Sequence, residues 1–165
     1  MVSEEKHHGQ ICNSVETERA PQCPYSQGWW AGDFIFVPGT GPVDPATSKL
    51  VGDTIEQQTE KTIDNIAAIL EADGASFGDV VKVTAHLSDP DLFSRYNVVY
   101  ARRFSRPYPV RTTVGSNLGS PGMMIEIDCI AYKPQPARKI RSRSTGKKRS
   151  GEKASKPTPK FLLRN

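Results

Sequence analysis

The stretch MMIEIDCIAY, residues 123–132, constrains the fold more than any other part of the chain. Side chains of a strand alternate between two faces. Ile125, Ile127, Cys129 and Ala131 share one face, and Met124, Glu126, Asp128 and Ile130 share the other. The first face is apolar and suits burial beneath helices. The second carries two acids on a strand that is otherwise apolar. A buried carboxylate is costly unless it is paired or protonated. The strand therefore calls for helices on one side and a polar partner on the other.

The helices are legible. From Thr54 to Asp73, Ile55, Thr59, Ile63, Ile66, Ala67 and Leu70 recur at steps of three and four and make one apolar stripe. Gly74 stands where a helix commonly ends. A second helix is expected from about Pro90 to Phe104, capped by Ser88 or Asp89, with Leu92, Phe93, Tyr96, Val99, Tyr100 and Phe104 toward the core. The remaining periodic runs are strands: YSQGWW and DFIFVPG, joined by a hairpin at Ala31-Gly32-Asp33, then Asp79–Leu87 and Arg111–Ser116. GTGPVDPATSK, after Val37, reads as a loop. The order β-β-α-β-α-β-β predicts an α+β domain, one sheet with both helices on one face. The other sheet face then needs cover, and self-association is the simplest source.

Charge divides the chain. From Lys133 onward there are twelve Lys/Arg and one acid, Glu152, whereas the preceding residues hold ten bases and seventeen acids. We read residues 1–20 as a flexible polar N-terminus, 21–133 as the folded domain and 134–165 as a basic, disordered tail. The tail's composition suits a nucleic acid or anionic surface, bound through 137–160 by counterion release; a solvated extension is the plainer reading. Three cysteines, Cys12, Cys23 and Cys129, suggest no disulfide framework and fit a reducing, cytoplasmic setting. No run is long and apolar enough to span a bilayer.

PVRTTVG, residues 109–115, places a permanent cation at the start of a strand of β-branched residues. Arg111 either reaches solvent or meets an anion. Glu126 is its natural partner, either as a structural ion pair or as part of a site. Gly39 and Gly41 allow close approach of backbone to a ligand, although GTG is also ordinary turn chemistry. His7, His8 and Cys12 have no matching distal pair for a metal. His86, on a strand, reads as a packed or surface histidine.

The motifs together resemble the reactive-intermediate deaminase family, the RidA or YjgF-type enamine/imine deaminases. They are PYSQ at 24–27, VPGTGPVDPATSKLV at 37–51, QTEKTIDNIAAILEADGASFGDVVKVTAHLSD at 58–89, YNVVYARRF at 96–104, PVRTTVG at 109–115 and MIEIDCIAY at 124–132. The resemblance covers about residues 20–133. It implies a chorismate-mutase-like fold whose sheets form the inner barrel of a homotrimer. It also implies sites between subunits, no metal or organic cofactor, and hydrolysis of enamines or imines such as 2-aminoacrylate to 2-oxo acids and ammonia. By resemblance, Arg111 clamps the substrate carboxylate and Glu126 handles water and protons. Tyr25, Gly39, Asn97 and Thr113 line the cleft. Pro38, Thr40-Gly41 and Trp29-Trp30 depart from the family pattern and bear on the choice of substrate. A non-catalytic trimeric protein binding small carboxylic acids, with a nucleic-acid-associated tail, is the alternative.

Overall fold

The structure, a computed structural model, describes residues 9–11 and 25–134. Six strands form one mixed sheet: β1 (Gly9–Ile11), β2 (Trp29–Ala31), β3 (Phe34–Thr40), β4 (Val80–Leu87), β5 (Val110–Gly115) and β6 (Ile125–Tyr132). The spatial order is β1-β2-β3-β6-β4-β5. Only β4 and β5 run parallel. Helix α1 (Ile55–Ala72) connects β3 to β4, and α2 (Phe93–Arg103) connects β4 to β5. The final strand, β6, inserts between β3 and β4 and ties the two halves together. The class is the α+β single sheet expected from the element order.

Both helices pack on one sheet face. Ile55, Ile63, Ile66 and Leu70 of α1 are buried, as are Tyr96, Val99 and Tyr100 of α2 and, just beyond it, Phe104. They meet Ile35, Val37, Val83, Ala85, Leu87, Ile125, Ile127, Cys129 and Ala131 from the sheet. The alternation read in β6 is present: its odd-numbered residues from 125 to 131 are buried, and Glu126, Asp128 and Ile130 are half-buried on the outer face. Burial pushes the Cys129 thiol up to about 12, which keeps it an unreactive core residue.

Several ends form as their chemistry dictates. Thr54 Oγ1 accepts from the Gln57 N–H at the start of α1. Gly74, at φ 71°, follows its last turn. The β2–β3 hairpin turns on Gly32 and Asp33, with Gly32 at φ 61°. Asp89 accepts from the Asp91 N–H and caps a short 3-10 turn, Pro90–Leu92, so α2 proper starts at Phe93.

Three expectations are corrected. The polar N-terminus was expected to hold no element, yet Gly9–Ile11 pairs with β2, in register Gly9↔Ala31 and Ile11↔Trp29. A hairpin's open edge is a template for a further strand, and three residues are too few to show a period. Tyr25–Gly28 is not part of β2, which begins at Trp29. Conversely, β3, read as reaching Gly39 in DFIFVPG, runs one residue further, to Thr40, into the stretch read as loop. Its register with β6 shifts between Val37 and Thr40, and a bulge tolerates the proline there. Of the tail read as disordered, 134–165, residues 135–165 lie outside the described residues, as do Cys12, Cys23, His7 and His8.

Candidate functional site

Arg111 lies on the helix face of β5. Its register partner on β4 is Val83, which pairs in turn with Cys129 of β6, and both are buried under the helices. From there the side chain reaches α2. Its Nη2 donates to Asn97 Oδ1 at 2.9 Å. Its guanidinium carbon sits 4.3 Å from the ring centre of Tyr100, 5.3 Å from that of Tyr96 and 5.5 Å from that of Phe93. Such ring faces attract a cation and leave the guanidinium's remaining donors for another group. No carboxylate pairs with Arg111 among the described residues.

Helical spacing builds this shelf. Tyr96 and Tyr100 are four residues apart, as are Phe93 and Asn97, so all four lie near one stripe of α2. Tyr96 and Tyr100 read from the sequence as core residues only. They are core, and they also support the cation. Phe93 was expected inside but is 42% exposed, lying over Arg111. Burial raises the pKa of both tyrosine hydroxyls. The hydroxyls of Tyr96, Tyr100 and Thr113 are buried, and that of Tyr96 lies within reach of Thr113 and Arg111. Thr113, two residues after Arg111, shares its face.

Glu126 is elsewhere. It pairs with His86 of β4 in register and lies on the outer sheet face. Its carboxylate fills the space beside Gly39, where a Cβ would collide with Glu126 Oε1. Glycine is required there for proximity. Near Gly39 a cavity of about 250 Å³ opens between the end of β3 and α1, lined by Tyr25, Gln27, Gly39, Thr40, Asn65 and Ile69, among others. Asn65 Nδ2 donates to the carbonyls of Gly41 and Val43, at 3.0 and 2.8 Å, and holds the loop against α1. Gln27 Oε1 is buried there with no hydrogen-bond partner among the described residues.

The expected pairing of Arg111 with Glu126 is therefore not formed within the chain. Their strands are separated by β4, a span of roughly 10 Å, and the side chains leave opposite faces. Sequence periodicity could not reveal this, because a strand's pattern says which residues share a face and not which face its neighbour shares. The six residues instead form two groups. Arg111, Asn97 and Thr113 stand at the β5 end of the sheet, and Glu126, Gly39 and Tyr25 cluster toward β3.

Residues 16–133 match the endoribonuclease L-PSP family. A RutC family protein of Pyrococcus abyssi is 45% identical over 121 residues, 72% of this chain and 95% of that protein. The chloroplastic Reactive Intermediate Deaminase A of Arabidopsis thaliana is 40% identical over 119 residues, 71% of this chain and 64% of that protein. Among solved structures, RidA from a Psychrobacter species shares 33% identity, covers 74% of this chain and 98% of its own, and superposes with a TM-score of 0.68. A putative endoribonuclease from Thermotoga maritima shares 45% identity, covers 73% and 97%, and superposes with a TM-score of 0.67. The two clusters thus sit on the domain that these proteins share with it, and the chain belongs to the endoribonuclease L-PSP family, the RidA/YjgF-type family that its motifs resemble.

Proposed function

We propose that the protein is a cofactor-independent deaminase that hydrolyses reactive enamines and imines bearing a carboxylate, and that it works as a homotrimer. The observation that carries this reading is Arg111: a guanidinium on an aromatic shelf, unpaired with any acid among the described residues, with buried hydroxyls beside it. That arrangement suits a small carboxylate. The second cluster supplies what the first lacks, an acid beside a glycine that leaves it room. The clusters face different sides of one sheet, so the complete site needs Arg111 from one copy and Glu126 from the next. The outer face supports association, because Phe34, Phe36, Val114 and Tyr132 are 41–42% exposed on it. A cytoplasmic setting fits the same reading.

The chemistry follows. Arg111 binds the substrate carboxylate and fixes the imine carbon beside Glu126 of the adjoining copy. The Glu126 carboxylate takes a proton from water as the water oxygen bonds to carbon and the C=N π pair moves to nitrogen. It then returns that proton to nitrogen. Loss of ammonia, with a proton leaving the hydroxyl, gives the 2-oxo acid. Imines already hydrolyse in water, so a modest acceleration suffices.

The test is a coupled assay on imines generated in place by an amino-acid oxidase. Wild-type protein is expected to speed 2-oxo acid release. Arg111→Ala and Glu126→Gln are each expected to lower the rate at least ~100-fold while retaining the wild-type assembly mass. No acceleration by wild-type protein across several imines would reject the enzyme in favour of a carboxylic-acid-binding protein.

A further inference from the structure

His86 stands out on the outer face. It is the register partner of Glu126 across the β4–β6 ladder, so their Cβ atoms lie roughly 5 Å apart. Its Nε2 is 3.8 Å from Asp128 Oδ2, and its Nδ1 is 3.4 Å from Ser116 Oγ. The other groups around it are few. On β5 its register partner is Val114. On β4 itself, Thr84 and Lys82 share its face, with Lys82 Nζ donating to Thr84 Oγ1 at 3.1 Å. The helices cover the opposite face. His86 thus has the Asp128 carboxylate near Nε2 and Glu126 as its cross-strand neighbour, its side chain is 34% exposed, and neither ring nitrogen is held by a short hydrogen bond.

We propose that His86 is a second proton-transfer residue of the site, acting with Glu126. This rests on the deaminase reading above. Imine hydrolysis moves protons twice. In the first stage Glu126 takes a proton from water and hands it to nitrogen, returning to its ionised form. In the second the hydroxyl of the protonated carbinolamine must lose its proton. As that O–H breaks, the C=O bond forms, the C–N bond breaks and its electron pair leaves with ammonia. His86 takes the hydroxyl proton and passes it to ammonia or solvent, so that a protonated imine and water become a 2-oxo acid and ammonium. Asp128 and Ser116 flank the ring on its two nitrogen sides. An imidazole is the group suited to accept and release a proton near neutral pH.

The experiment measures kcat and KM from pH 5 to 9 for wild type, His86→Gln and His86→Phe on an oxidase-generated imine. Both variants are checked for wild-type assembly mass, and Phe provides a second, apolar replacement for this face. The expected result is a kcat about 100-fold lower with KM unchanged, and a pH profile of kcat that differs from that of wild type. Variants that keep the wild-type kcat, or lose kcat but keep the wild-type pH profile, overturn the role of His86 and leave the deaminase intact. Absence of turnover by wild type overturns both.

Discussion

Gly39 is the residue at which sequence, geometry and chemistry meet most tightly. In the sequence it belongs to a GTG that fits any turn. In the structure it lies in β3, and the missing side chain makes room for Glu126. Alanine there would push against the end of a flexible side chain rather than against backbone, so the carboxylate is expected to move and the fold to persist. Gly39→Ala should therefore lower deaminase activity at least ~10-fold while stability changes by less than about 1 kcal/mol. Parallel urea melts and imine assays test this; normal activity would show that the placement of Glu126 beside Gly39 does not matter. Arg111 illustrates the opposite limit of sequence reading. Its charge at the start of a strand was legible in PVRTTVG, but its aromatic support was not, because shelf and core positions on a helix share one period. Gln58 was also missed. Its Nε2 donates to the carbonyls of Gly52 and Gly122, both at 2.9 Å, while its Oε1 accepts from the Met124 N–H at 2.7 Å. It fixes the entry to β6 two residues before Glu126.

At the scale of elements, the regular parts were legible where a long apolar period coincided with a chemical stop signal. Helix α1 has both, in its stripe and in Thr54 and Gly74. Strand β1 has neither, and its existence depends on the edge that β2 offers. What no period could reveal is how α1 meets α2. Three acids at steps of four along α1 face three arginines of α2. Glu56 pairs with Arg95 through two contacts of 2.7 Å, Glu60 with Arg102 and Arg103, and Asp64 with Arg103. The Arg95 hydrogen bonds hold the Glu56 carboxyl at about 2, below the usual ~4.3 of an unfolded chain. A depressed folded value means that the stabilisation is complete above the unfolded value and disappears as pH falls through about 2. The pair is exposed and its contribution is small. Replacing Arg95 by Met is expected to lower the thermal midpoint slightly at pH 6 and to flatten its decline between pH 5 and 2. Thermal melts by circular dichroism across that range measure it, and parallel curves for the two proteins would contradict the assignment.

For the whole molecule, the decisive consequence of the proposed function is that one chain would hold two different halves of a site. The cation cluster lies under α2, while the acid lies on the outer face beyond β4, so no side-chain rotation within a copy can bring them together. A ring of copies can, because a head-to-tail interface places one surface of each copy against a different surface of the next. The arrangement makes a quantitative prediction about mixtures. Arg111→Ala subunits retain the acid, and Glu126→Gln subunits retain the cation. Each alone gives an inactive assembly. If equal amounts are unfolded together and refolded, a site is complete only where a Glu126→Gln copy lends its arginine to an Arg111→Ala neighbour. Random assembly makes about one site in four complete, so the mixture should recover about a quarter of the wild-type rate. If each site were built within one chain, every site in the mixture would still lack one of its two groups, and the rate would remain at the level of the separate variants. Refolded wild-type protein sets the scale, and light scattering establishes that each sample has reassembled to the same mass.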